Sequence, residues 1–240
     1  MTPDGEQVSA VAILSYHKIG EPPADGWETW YYVSSARFRE DLELLLRLGW
    51  QPIDHATFVL ALDDPGRLPS RCALVTFDDG YRSLVREAVP VLEELGVPSV
   101  VFVPTAYIGG SNEFDVGEEP EEPICGWDDL RHVAGSGMSV QSHGVHHLPM
   151  SEFEPKVQSE ELLASRLALE TGLGTAVDLF AFPYGDAGVD PAVMSESLRG
   201  AGYRAAFSYG GGPADLHRDD HYRLPRIAMG PDTNLSELLR

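Results

Sequence analysis

One apolar run most restricts what this chain can become. Ala73-Leu74-Val75-Thr76-Phe77 is followed at once by Asp78, Asp79 and Gly80. A run this apolar, broken by a single Thr, predicts a parallel strand covered on both faces. In α/β folds of that kind the reactive groups gather outside the carboxyl ends of the strands, where Asp78 and Asp79 stand. Neighbouring residues on an extended chain point in different directions, so the two carboxylates are expected to divide their labour rather than share a proton. The plainer reading is a polar strand-to-helix turn, with Asp79 or Ser83 as a helix cap.

The 240 residues suit one large α/β domain or two small ones, and a hydrophobic share of 43% is enough for a sizeable core. Asp and Glu number 38 against 17 Lys and Arg, a formal net charge of -21. Such a surface argues against nucleic acid or an anionic membrane as partner. Cys72 and Cys125 are far apart and lack CxxC spacing, which excludes a disulfide scaffold and a thiolate zinc knuckle. The N-terminus has no basic region, and the apolar run Val11 to Leu14 is too short for a signal peptide or a membrane span. The expectation is a cytoplasmic protein without a membrane span, with a tail over residues 1-10 and one domain over 11-240.

Strands are predicted at Val11 to His17, Gln51 to Ile53, Ala73 to Phe77, Ser99 to Val103, Met138 to Ser142, Leu179 to Pro183, Tyr203 to Phe207 and Tyr222 to Met229. Helices are predicted at Phe38 to Leu48 behind Ser34 and Ser35, Ala56 to Leu62, Tyr81 to Leu95, Trp127 to Ala134, Glu152 to Gly172, Ala192 to Gly200 and Leu235 to Arg240. The acidic stretch from Ile108 to Gly126 reads as an insertion or lid loop. This alternation predicts a single α/β domain with a parallel sheet. Polar residues recur at strand ends (His17, Asp78, Asp79, His143, Tyr184), which favours a distorted barrel over a doubly wound open sheet.

Ser142-His143-Gly144-Val145-His146-His147 places three of the chain's eight histidines within five residues. His143 and His147 are four apart, which on a helical turn puts them on one face, within reach of one ion. His146 would point elsewhere. The competing reading is a surface turn. Two imidazoles and a carboxylate suit a divalent metal and leave positions open for water and substrate. Such a metal acidifies water and polarises a carbonyl, and a free carboxylate can take the proton. That is the chemistry of amide or ester hydrolysis.

Tyr16-His17, Thr76-Phe77-Asp78-Asp79-Gly80-Tyr81, Ser142-His143-x-x-x-His147, Phe180-Ala181-Phe182-Pro183-Tyr184-Gly185 and Leu224-Pro225-Arg226-Ile227 occur in that order. The set resembles the polysaccharide deacetylase family (carbohydrate esterase family 4, the NodB homology domain) from about Val11 to Met229. The resemblance implies a distorted (β/α)7 barrel and metal-dependent removal of N-acetyl, sometimes O-acetyl, groups from sugars. It implies Asp79, His143 and His147 as metal ligands, with Zn2+ first and Co2+, Ni2+ or Mn2+ also accommodated. It implies Asp78 as general base, and the Tyr184 backbone N–H, beside Pro183, as oxyanion donor.

The sequence departs from that pattern at two sites. Many members carry an Arg two residues before the Pro matching Pro183, where this chain has Ala181; Arg226 is the expected substitute. Many also carry a Leu-x-His on the last strand. Here Leu14-Ser15-Tyr16-His17 offers a histidine on the first strand, as in a subgroup resembling exopolysaccharide de-N-acetylases, and His17 is expected to be the general acid. Trp27, Trp30, Tyr31, Tyr32 and Trp127 are candidates for stacking on a sugar. Two other functions compete: a deformylase or amidohydrolase acting on a non-sugar amide, and a silent carbohydrate-binding protein, for which Ala181 is the support.

Overall fold

Val11 and Ile13 face one way along the first strand and Ala12 and Leu14 the other, and all four are fully buried. A strand apolar on both faces must sit between two layers. The computed structural model, which describes residues 10–239, shows those layers. Apart from Ala10, the expected tail over residues 1-10 lies outside the described residues.

In chain order the elements are β1 (Ala10–Tyr16), β2 (Lys18–Ile19), β3 (Tyr32–Val33), α1 (Ser35–Arg47), β4 (Gln51–Pro52), α2 (His55–Ala61) and β5 (Cys72–Phe77). Then come α3 (Val89–Leu95), β6 (Ser99–Val103), α4 (Trp127–Gly135), β7 (Met138–Ser142), α5 (Pro155–Leu173) and β8 (Leu179–Ala181). The chain closes with α6 (Pro191–Ala201), β9 (Ala205–Phe207), β10 (Ala214–Asp215), β11 (Ile227–Ala228) and α7 (Leu235–Leu238).

Parallel strands follow one another as β1-β5-β6-β7-β8-β9, and β11 lies parallel on the other side of β1. The order never reverses, which sets aside the doubly wound sheet. A bridge from Phe207 to Leu224 joins β9 to the residues before β11. The curled sheet therefore returns to β1, but through one bridge and a two-residue strand. This is the expected distorted (β/α)7 barrel, half-closed at its seam. The strand predicted over Tyr222 to Met229 shrinks to β11 because Pro225 has no N–H to give a ladder. β10 runs antiparallel to the start of β1 and makes the sheet mixed.

Two apolar clusters reflect the period-two alternation of the strands. Val11, Ile13, Leu74, Phe102 and Phe207 share one cluster, to which α2 adds Phe58 and Ala61. Ala12, Leu14, Val75, Phe77 and Val101 join the other, together with helix residues such as Phe38, Leu42, Leu162 and Leu198. Truncating a fully buried Phe in such a cluster costs about 3–5 kcal/mol.

Tyr81 to Leu95 is not one α-helix. Val89 N–H donates five residues back to Leu84 O, giving a wide π-type turn over Leu84–Ala88 before α3. Pro90, next in sequence, has no N–H and cannot continue the regular four-residue pattern. Among the described residues no helix is long and apolar enough to cross a membrane.

Candidate metal centre and active site

At the end of β5 the chain turns left-handed twice, at Asp79 (φ 68) and Gly80 (φ 69). A Cβ at Gly80 would lie 3.0 Å from a Val103 methyl. The double turn, rather than an extended backbone, sends the two carboxylates apart. Asp78 accepts two hydrogen bonds from Arg226, Nη1 to Oδ1 and Nη2 to Oδ2, both 2.7 Å. Asp79 Oδ1 instead lies 3.3 Å from His143 Nε2 and 3.0 Å from His147 Nε2.

His143 and His147 do not lie on a helical turn. Their segment is a loop with left-handed backbone at Gly144 (φ 81) and His147 (φ 52). Glu161 on α5 pins that loop: its Oε1 accepts the N–H groups of Val145 and His146, each at 2.7 Å. His146 Nδ1 lies 3.0 Å from Glu161 Oε2, directed away from the cluster as expected. Asp79, His147 and Tyr184 are the non-glycine residues with positive φ among the described residues. All three stand in this site, the place where strained backbone concentrates.

The donor set fits a divalent cation. One ligand atom from each of Asp79, His143 and His147 lies within 4.8 Å of the other two, and all three residues are buried. His143 Nδ1 sits 2.7 Å from Ala181 O, so it donates there and its Nε2 lone pair faces Asp79. Asp79 Oδ1 is buried without a hydrogen-bond partner among the described residues. A buried carboxylate oxygen facing two imidazoles without hydrogen-bond alignment is the arrangement a cation completes.

Charges shape the titration of these groups. Burial alone would push the Asp78 carboxyl up, but Arg226, with His143 and His17, outweighs it and holds it below its ordinary value. Burial opposes ionisation of Asp79 too, and the His147 and His143 imidazoles hold it well below the usual range. For His17 burial dominates and lowers the imidazole, against the opposing pull of Asp79 and Asp78. His17 Nε2 is 3.9 Å from Asp78 Oδ2. Its ring packs against Tyr31 at 4.7 Å and Tyr209 at 5.4 Å between centroids.

His17, Asp78, Asp79, His143, His147 and Tyr184 line one cavity of about 170 Å³. That is smaller than the roughly 300–1,000 Å³ that houses a drug-sized ligand. It has room for one end of a larger molecule, with the rest outside. Tyr184 occupies a left-handed turn over Pro183–Gly185. Its ring leans on His147 at 4.7 Å, and its hydroxyl donates to Asp115 Oδ1 at 3.2 Å.

Several of the residues named from the sequence stand outside this cavity. Pro183 is buried and starts the turn that carries Tyr184, but it does not line the cavity. Trp127 opens α4 and packs its ring against Gly172 of α5, outside the cavity. Of the other aromatic candidates only Tyr31 lines the cavity. Trp30 lies on Gly230 and bonds Asp232, Tyr32 packs over Lys18, and Trp27 is exposed beside Pro120 and Glu121.

Further residues complete the cavity without a role implied by the sequence motifs. Tyr209, Phe182, Asp115, Glu118 and Glu119 also line the cavity. The acidic composition of the 108–126 loop was the only signal for the last three. That loop does lie over the site: Phe114 stacks on His147 at 4.0 Å, and Lys18 Nζ donates to Glu119 at 2.7 Å.

Comparison with known proteins agrees with this geometry. The chain is 24% identical over 227 residues to YxkH of Bacillus subtilis (strain 168), covering 94% of this chain and 74% of that protein. It is 23% identical over 256 residues to the poly-beta-1,6-N-acetyl-D-glucosamine N-deacetylase of Escherichia coli (strain K12), covering 93% of this chain but only 37% of that enzyme. The fold matches the structure of the Streptococcus pyogenes deacetylase PplD in complex with acetate, with a TM-score of 0.81, 19% identity and coverage of 96% and 98% of the two chains. The family model for polysaccharide deacetylases matches residues 66–206, which hold the Asp78-Asp79 turn, the histidine loop and the Tyr184 turn. Because that match spans more than half of the chain, the chain belongs to the polysaccharide deacetylase family.

Proposed function

We propose that the protein hydrolyses the N-acyl group of an amino sugar, using a divalent ion, zinc first, held by Asp79, His143 and His147. When bound, that ion supplies Lewis-acid chemistry, acidifying water and polarising an acyl carbonyl. One observation carries the reading: the two adjacent carboxylates are separated, Asp79 towards two imidazoles and Asp78 onto a guanidinium.

The remaining roles belong to the chain itself. Asp78, kept ionised by Arg226, accepts a proton from the attacking water. Tyr184, on its left-handed turn at the cavity wall, is assigned to donate its backbone N–H to the oxyanion. His17 protonates the departing nitrogen. Burial weakens its hold on a proton, which makes its imidazolium the stronger acid. Water adds to the acyl carbon, the C–N bond breaks, and a carboxylate and an amine leave. Ala181 is the one argument for a silent binding protein, and Arg226 brings the guanidinium from elsewhere in the chain.

Relatives in Escherichia coli and Staphylococcus aureus bear the name poly-beta-1,6-N-acetyl-D-glucosamine N-deacetylase. Oligomers of β-1,6-linked N-acetylglucosamine are therefore the first substrate to try. The test is amine release by zinc-loaded protein, with metal content measured in parallel. Asp79→Ala should lose metal and activity together. Asp78→Asn should keep its metal and lose about 10²–10⁴-fold in kcat. Metal-loaded protein that releases no amine from acetamido sugars, or an Asp78→Asn protein at full rate, would overturn the proposal.

A further inference from the structure

The cavity contains a polar group that the reaction does not use. Tyr209 lines it, and its hydroxyl oxygen is buried without a hydrogen-bond partner among the described residues. Burial pushes the phenol up, so the group stays a neutral hydroxyl, able both to donate and to accept. A buried hydroxyl without a partner is a cost to the fold. Such a cost is offset when a ligand supplies the partner.

This side chain is also held in place from three directions. Arg226 Nε donates to Ser208 O at 2.8 Å, and Arg226 N–H donates to Gly210 O at 3.3 Å. The residue that grips Asp78 thus fixes the backbone on both sides of Tyr209. Gly185 approaches so closely that a Cβ there would lie 2.8 Å from Tyr209 Cβ. The ring meets His17 edge-on at 5.4 Å. Tyr209 is therefore tied to the base, the acid and the Tyr184 turn at once.

Its position selects which part of a substrate it meets. Tyr184 and Phe114 pack on His147, on the side assigned to the acyl oxygen. Tyr209 packs on His17, on the side assigned to the leaving nitrogen. In an amino sugar, the carbons beside the nitrogen-bearing carbon carry oxygen. We infer that Tyr209 is a substrate-contact residue that hydrogen-bonds a sugar hydroxyl next to the acylamino group, and so separates amino sugars from plain amides. The inference rests on the N-deacylase reading above. A site built around such a hydrogen bond strongly rejects an analogue lacking the hydroxyl, because its own polar group is then left unpaired.

The test compares zinc-loaded wild type with Tyr209→Phe on three substrates: an N-acetylglucosamine oligomer, its 3-deoxy analogue and an aryl acetate. A loss in kcat/KM of about tenfold or more is expected on the oligomer, and of less than about twofold on the other two. Metal content should not change, and the Tm of the ligand-free protein should hold or rise, since the unpaired hydroxyl is gone. An equal loss on all three substrates, or none on the oligomer, overturns the inference. A second measurement is independent of turnover. Calorimetry follows both oligomers binding to Asp78→Asn, with and without Tyr209→Phe. Preference for the hydroxylated oligomer only when Tyr209 is present supports the contact, even if the wild type releases no amine and the functional reading fails. Absence of that preference overturns the contact, even if the wild type is an active deacetylase.

Discussion

Arg226 and Asp78 meet through two hydrogen bonds of 2.7 Å, although 148 positions separate them in the chain. The guanidinium is wholly buried, and its Nε is spent on Ser208 O. A buried ion pair of this geometry is satisfied on both sides. Removing one partner leaves a charge without a counter-charge.

Arg226→Ala should therefore cost about 3–5 kcal/mol in denaturant unfolding. Arg226→Lys should cost less, since it keeps the charge and loses the fork. The folded-state Asp78 pKa is depressed, so its contribution to stability is present above the ordinary value of 3.8 and is lost as pH falls through the folded value. In Arg226→Ala only the burial penalty and weaker neighbours remain, so the Asp78 carboxyl rises. A base must be ionised, hence the acid limb of the kcat/KM profile should move to higher pH. An unshifted limb at undiminished rate would remove Arg226 from the machinery.

The second buried pair fastens the acidic loop. Lys18 is 1% exposed, donates to Glu119 at 2.7 Å and lies over the rings of Tyr32 and Tyr81. Thr29 Oγ1 donates to the same carboxylate oxygen at 2.7 Å. Lys18→Met leaves the partly buried Glu119 carboxylate with one hydroxyl donor. We expect a lower Tm and faster amide exchange over residues 108–126, with the exchange of β6 and β7 unchanged. Glu119→Gln keeps an acceptor for both donors but leaves the Lys18 ammonium without its counter-charge, so it should also lower Tm and speed exchange over the same residues. Identical loop exchange in Lys18→Met and wild type would mean that the loop's own backbone bonds suffice.

Asp78, Asp79, His143 and His147 were legible in the sequence because their signals are local: adjacent carboxylates after an apolar run, and a tight histidine group. How the fold brings them together was not. Local pattern alone implies an extended chain at Asp78-Asp79 and a helical turn at the histidines. Both segments instead turn left-handed at non-glycine residues, a conformation imposed by packing across the barrel mouth. Glu161 and Tyr209 act through partners distant in sequence, so no local pattern marks them, and Asp115 is marked only by the acidic composition of its loop. Trp127 shows the converse, since an aromatic at the first position of a helix does not reveal which neighbour it faces, and here it packs on Gly172. His17 and Arg226 lie outside the span of the family match at residues 66–206. They stand in for the arginine absent at Ala181 and the histidine absent from the last strand, and only those two gaps mark them in the sequence.

Gly185 tests how tightly the Tyr184 turn and Tyr209 are coupled. It has φ 70, and a Cβ would meet Tyr209 Cβ at 2.8 Å and Tyr209 N at 2.9 Å. Gly185→Ala combines backbone strain with a clash against backbone, for which we expect a loss of about 1–3 kcal/mol. Because metal ligation does not involve this contact, bound metal should stay stoichiometric while kcat/KM falls. A variant that loses its metal in step with activity would place the damage at the histidine loop instead.

Asp115 offers a pH-dependent signature of metal loading. Burial first, then the nearby Asp79 charge, pushes its carboxyl up to about 6, against weaker opposing pulls that include His147 and the Tyr184 hydroxyl. The folded state then holds a proton that the unfolded state releases near the ordinary value of 3.8. Between those values the folded state binds more protons, so the Asp115 contribution to stability falls as pH rises from about 4 to about 6. In chelator-treated protein, Asp115→Asn should flatten the Tm profile across that window. A divalent ion on Asp79, His143 and His147 opposes the Asp79 charge and draws the Asp115 carboxyl back down. The difference between wild type and Asp115→Asn should therefore shrink when zinc is added. Profiles that differ equally with and without zinc would show that burial alone governs Asp115 and that no cation sits within its field.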